Sequence, residues 1–229
     1  MTLTREQLLS LPTMFTPRIF EIWRLFIVLF SIEVVIVEFS TCPRKFHERI
    51  RFLTVWGYLL NCTAQILLYV ASTTNPQLHP KKNAHVSPLW KAGLLVYEIA
   101  FSLQFPITIV YWAAIFPTDK YVHGIRLHFQ NLQVHLFILL AFITDFYISA
   151  VYFDKRHGKW VIAVTVCYLA FNFTCTFLDK PVYEVINWKD KMSYVFGSVA
   201  VILCISAFYL FAHISTARFK RIEARLRAH

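Results

Sequence analysis

Thr54 and His135 each stand just inside a membrane-length apolar stretch of the chain. A hydroxyl is a weak nucleophile until a base takes its proton. An imidazole within hydrogen-bond reach can act as that base and later return the proton to a leaving alkoxide. Thr and His also serve as ordinary hydrogen-bonding groups between membrane helices, so the pairing has a structural reading as well. Their positions keep the chemical reading open. Thr54 lies three residues past Arg51, and His135 four past Asn131. At about 1.5 Å per residue, both fall within the first two turns of their helices. Spans alternate in direction, so the second and fourth start on one face of the bilayer whichever way the chain is inserted.

Other polar residues fall within apolar stretches: Glu33, Glu98, Asp145 and His213, with Asn61, Gln65, Gln104 and Asn172 as uncharged partners. An Asp, Lys or Arg at mid-bilayer costs at least about 2.5–3.5 kcal/mol and marks a bundle interior or a cavity. Isolated Asn and Gln are read as interhelical glue. Glu98 and Asp145 need protonation or a partner, and together with Asn131 they are expected to line a cavity. Asp145 is ten residues beyond His135. That is about 15 Å deeper, too far to orient the imidazole directly. Pro106 interrupts the third stretch, and a bend there would shape such a cavity.

The elements that must position these groups follow from composition. Of 229 residues, 57% are hydrophobic and 16% charged, with mean hydropathy +0.52. A soluble domain carries about 25% charged residues. The apolar residues come in six blocks, at 20–39, 52–73, 89–116, 131–153, 159–178 and 192–216. A spanning helix needs about 20 such residues, and membrane backbone must satisfy its own hydrogen bonds. An all-α, polytopic bundle of six transmembrane helices is therefore expected over residues 19–216. A short N-terminal interfacial segment (1–18) precedes it, and a basic C-terminal helical tail (217–229) follows. In the first segment, Thr4-Arg5-Glu6-Gln7 fits a capping box for a short helix that Pro12 breaks. Glu21, Arg24 and Glu33 in the first block argue for a span rather than a cleavable signal peptide.

The net charge of +10 is distributed around the spans. Fourteen Lys and Arg fall on the side of the two termini, the second loop and the fourth loop, against nine on the other. This bias favours both termini inside. Because the charge flanks spans instead of forming one face, nucleic acid is excluded as a partner. The basic tail suits anionic lipid headgroups. Five cysteines without a CxxC pair give no disulfide framework and no metal site. The triplets Asn61-Cys62-Thr63 and Asn172-Phe173-Thr174 are intramembrane chance matches to a glycosylation signal.

Several segments resemble the androgen-induced protein family, whose members include the androgen-dependent regulator of tissue factor pathway inhibitor. Arg51-Phe52-Leu53-Thr54 is similar to the start of the family's second span. Leu103-Gln104-Phe105-Pro106-Ile107, with Val110 and Trp112, resembles its third. Asn131-Leu132-Gln133-Val134-His135, followed by Asp145, resembles its fourth. The stretch from Lys180 to Trp188 resembles a late loop in which a proline commonly follows the tyrosine; Glu184 stands there in this chain. The resemblance covers roughly residues 50–215. It implies six spans and, in some members, hydrolysis of esters between fatty acids and hydroxy fatty acids, with Thr54 as nucleophile and His135 as base.

Three functions of different classes follow. The first is an intramembrane lipid-ester hydrolase whose ester sits at the face shared by Thr54 and His135. The second is a non-catalytic accessory subunit of a larger membrane assembly, such as one of the mitochondrial inner membrane, with the basic tail packed on a partner and 22 Phe suited to broad helix contacts. The third is a proton or solute pathway through His135, Glu98 and Asp145; it ranks last because the residues between are aromatic or aliphatic. Membrane lipids, and in the second reading other membrane subunits, are the expected partners. Cofactors and metals are not called for. The location is an endomembrane or the mitochondrial inner membrane.

Overall fold

The computed structural model describes residues 17–41, 45–74, 87–118, 125–149, 151–183 and 186–227. Helix α1 is Pro17–Thr41, α2 the single turn Phe46–Arg49, and α3 Leu53–Thr74. Helix α4, Pro88–Val110, continues through a π turn (Tyr111–Ile115) and a 3-10 turn (Phe116–Thr118). Helix α5, Ile125–Leu132, passes through a second π turn (Gln133–Phe137) into α6, Ile138–Ile148. Helices α7, Gly158–Leu178, and α8, Lys191–Arg227, complete the bundle. Among the described residues there is no strand, only an isolated antiparallel bridge between Tyr183 and Ile186.

Local sequence sets the helix ends. Pro88 opens α4 at a position where its missing N–H costs nothing, and the preceding Ser87 side chain accepts from Trp90 N at 3.1 Å. Two arginines close helix C-termini, where unpaired carbonyls favour a cation. Arg49 donates to Glu38 O and Phe39 O, each at 3.0 Å, at the end of α1. Arg51 donates to Cys175 O at 3.2 Å, to Lys180 O at 2.7 Å and to the Asp179 carboxylate at 2.7 Å, at the end of α7.

Helix α4 is the hub, touching α3, α6, α7 and α8. Through most of its length it is buried on every side, as expected of a helix that is apolar all round. Its Tyr97 and Phe101 meet Phe142 and Phe146 of α6 and Phe211 of α8, with Phe101–Phe142 stacked at 5.2 Å and Phe101–Phe211 tilted at 4.5 Å. Offset and edge contacts of this kind add stabilisation beyond area burial. Gly57 lets α3 close on α4, since a Cβ there would collide with Ile107.

Among the described residues, five helices are long and apolar enough to cross a membrane: Leu53–Thr74, Pro88–Ile115, His128–Ile148, Lys155–Leu178 and Lys191–Arg221. This is an all-helical, multi-pass membrane architecture. The expected six spans therefore reduce to five on apolarity alone. Helix α1 falls short because Glu21, Arg24, Glu33 and Glu38 lie within it. Two other boundaries differ. The fourth block does not run as helix to residue 153; α6 stops at Ile148, and Val151, Tyr152 and Phe153 form a buried, non-helical segment whose Phe153 packs on Phe101 and Phe208. The last helix does not break at residue 216, so the tail continues α8 to Arg227. Of the N-terminal segment only Pro17 and Arg18 are described, and they open α1; the capping box lies outside the described residues.

Candidate functional site

Thr54 is the second residue of α3 and lines a cavity at the end of the bundle where α3 begins. Leu53 and Thr54 form one wall and Pro106, Ile107, Val110, Tyr111 and Ile115 another. Tyr168, Leu169 and Asn172 of α7, Gly197 and Ala200 of α8, and Tyr183 and Ile186 of the intervening loop complete it. Measured as space open to the centre of a water molecule, the cavity is about 40 Å³. A single water needs roughly 10–15 Å³ on that measure, so a few waters or one ester group fit.

The polar groups here converge on Tyr183. Its hydroxyl accepts from Leu53 N at 2.9 Å and adjoins the Tyr168 hydroxyl and both the amide and the hydroxyl of Thr54. Burial pushes the Tyr183 phenol above its ordinary pKa, against the opposing pull of those neighbours. It is therefore a neutral hydrogen-bonding group at physiological pH. Tyr168 donates to Arg51 O at 2.9 Å and Asn172 Nδ2 reaches Tyr168 at 3.5 Å. Asn172 Oδ1 accepts from Trp188 Nε1 at 2.8 Å. That bond, with the Trp188–Tyr194 ring contact, holds a tryptophan at φ 57. A bulky residue rarely adopts this left-handed conformation. The loop carrying Tyr183 and Ile186 is thereby fastened against the cavity.

His135 lies in the second π turn, 6% exposed. Its ring stacks on Tyr111 at 3.4 Å and 4°, and Tyr111 itself begins the first π turn. His135 Nδ1 is buried with no hydrogen-bond partner among the described residues. The imidazole is not among the cavity-lining residues, whereas Tyr111 is. Helix α3 touches the turn that carries His135, so no other helix separates the two elements. The Tyr111 ring belongs both to the cavity wall and to the stack. That turn is anchored on both flanks: Gln104 Nε2 donates to Val134 O at 3.0 Å, and Gln133 Nε2 to both carboxylate oxygens of Glu33 at 3.3 Å. Single π turns recur at functional sites; here two meet face to face.

The other expected residues stand elsewhere. Asn131 is half-buried and outside this cavity's wall. Asp145 meets Arg24 at 3.2 Å, Trp23 Nε1 at 3.0 Å and the Ser149 hydroxyl at 2.5 Å; Arg24 also reaches Gln65 Oε1 at 3.4 Å. Glu98 pairs with His157 Nδ1 at 2.6 Å and accepts from Asp154 N at 2.9 Å. Neither carboxylate lines the cavity, and each is engaged in its own set of partners. Asn61 donates to Ser31 at 3.0 Å and Asn172 is buried, so both glycosylation triplets have their Asn occupied in packing. Among the described residues no three His, Cys, Asp or Glu gather as a metal site.

Sequence reasoning missed Tyr111, Tyr168 and Tyr183 as wall residues. Tyrosines are ordinary members of membrane-protein sequences, and nothing in their spacing singles these three out. Compared with known proteins, the chain matches no family model, no curated protein and no solved structure.

Proposed function

We propose that the cavity is the active site of an intramembrane lipid-ester hydrolase with Thr54 as nucleophile and His135 as general base. The observation that carries this reading is a threonine hydroxyl in the wall of a mostly apolar cavity, beside the first amides of a helix and two phenols. Preorganised donors near a nucleophile stabilise the oxyanion of acyl transfer. The resemblance to the androgen-induced family points the same way. A cavity of about 40 Å³ admits an ester group but not acyl chains, which would remain in the bilayer.

In this reading Thr54 Oγ attacks the ester carbonyl and its proton passes to His135. The C–O bond to the alcohol then breaks, the alcohol leaves with that proton, and the acyl group stays on Thr54. A water, deprotonated by the same imidazole, releases the fatty acid and restores Thr54. Proton transfer requires direct reach, so the Tyr111 ring must swing aside when substrate binds. The same reading takes α1 as a sixth span. Its 25 residues extend about 37 Å, beyond the roughly 30 Å of a hydrocarbon core, and its buried Arg24 is neutralised by Asp145.

The test is hydrolysis of esters between fatty acids and hydroxy fatty acids by the purified protein, with fluorophosphonate labelling as a second readout. Thr54→Ala is expected to abolish both, and His135→Ala to lower turnover by about 10²–10⁴-fold. Equal turnover in wild type and Thr54→Ala ends the proposal and leaves the accessory-subunit reading.

A further inference from the structure

The two ends of the bundle differ in charge. At the end where α7 begins and α8 finishes, Lys91, Lys155, Arg156, Lys159, Lys220 and Arg221 are exposed. Among the acids there whose side chains are described, Glu21 is exposed, Asp154 is already engaged by Arg156 at 3.0 Å, and Glu98 and Asp145 are buried against His157 and Arg24. The opposite end is mixed: exposed Lys45, Lys180, Lys189 and Lys191 stand with exposed Glu33, Asp179 and Asp190.

The basic residues sit at and beyond the height where the greasy surface gives out. Helix α8 has 37 residues, about 55 Å, against a hydrocarbon core of about 30 Å. Among the residues whose side chains are described, its last large exposed apolar one is Leu210. Gly158 lies beside Phe208 and Tyr209, where a Cβ would come within 3.0 Å of both, so α7 starts alongside that limit. Lys159 Nζ stands 5.6 Å from the Trp160 ring, and that indole is 49% exposed; tryptophan favours the headgroup level. Beyond it the overhang of α8 is fixed. Arg218 turns inward and donates to Phe146 O and Val151 O, each at 2.7 Å, while Phe219 packs on Tyr152. Lys220, two residues on, is about 200° round the helix from Arg218 and faces outward.

We propose that this end is a docking surface for the headgroups of anionic phospholipids, gripped by Lys155, Lys159, Lys220 and Arg221. Lys155 and Lys159 hold positive charge at the apolar limit, and Lys220 and Arg221 hold it about 15 Å farther along the rigid overhang of α8, where long side chains reach back toward the headgroups. Clusters of Lys and Arg beside a span gain affinity for an anionic leaflet in this way.

The experiment is native mass spectrometry of the full-length protein in detergent, counting phosphatidylserine and phosphatidylcholine retained from an equimolar mixture. Wild type is expected to retain phosphatidylserine preferentially, and the preference to fall roughly fivefold per charge removed in K155Q, K159Q, K220Q and R221Q singly and combined. K180Q/K189Q/K191Q, altered at the opposite end, is expected to retain it like wild type. Far-UV circular dichroism and gel filtration establish that each variant is folded, and a misfolded combination is replaced by the single variants. Equal loss from either end, no preference in wild type, or displacement of phosphatidylserine by millimolar inorganic phosphate overturns the proposal.

Discussion

Arg24 and Asp145 meet at 3.2 Å with side chains 2% and 0% exposed, in a part of the bundle where water is scarce. Removing one partner from such a pair leaves an uncompensated charge and costs about 3–5 kcal/mol, whereas replacing both by apolar residues is often neutral. Arg24→Leu and Asp145→Leu are each expected to lower the melting temperature sharply in detergent, and the double variant to regain most of the loss. A double variant no better than either single would show that the pair is not the source of the stability. The need for such a partner was legible in the sequence, since a carboxylate within an apolar stretch must be paired or protonated. Its identity was not. Arg24 reads equally as a flanking positive charge, and only the packing of α1 on α6 brings residues 121 positions apart together. Thr54 and His135 show the same limit. Parity placed both on one face, but the intervening Tyr111 ring depends on a π turn that periodicity does not announce.

At the scale of elements, the close contact of α7 with α8 rests on a single missing side chain. A Cβ on Gly158 would come within 2.9 Å of Tyr209 Oη and 3.0 Å of Phe208. Gly158→Val is expected to destabilise by about 1–3 kcal/mol through overpacking, read as a drop in melting temperature, while Gly158→Ala costs less because the tyrosine hydroxyl can yield. Equal effects of Ala and Val would mean that the crowding is not what matters. The helices were largely legible because blocks of about 20 apolar residues admit few alternatives. The segment from Val151 to Phe153 was not, because a buried non-helical stretch carries the same apolar composition as the helix before it. Hydropathy records depth in the molecule and is silent about backbone shape.

For the whole molecule, the spans that alternate through the bundle bring Thr54, Tyr111 and Tyr183 to one end and Arg24, Glu98, Asp145 and Arg218 to the other. If α1 crosses the membrane as proposed, a cysteine placed at Glu21, near the start of α1, should react with a membrane-impermeant maleimide from the same side as those at Lys155 and Lys220, and those at His47 and Lys189 from the other. Residues 21 and 47 labelled from the same side would remove the sixth span, and residues 47 and 189 labelled from opposite sides would break the alternation of the spans between them. With that parity goes the argument that the second and fourth spans present their first turns to a common surface.

Trp188 gives the loop over the cavity a spectroscopic handle. Its indole is held by one hydrogen bond to Asn172 and by ring contact with Phe173 and Tyr194, in a backbone conformation that lacks intrinsic favour. Release of the loop would relax the backbone and hydrate the ring together. In a variant with the other five tryptophans replaced by phenylalanine, emission should therefore shift to longer wavelength when an ester occupies the cavity and lifts its cover, and return as product departs.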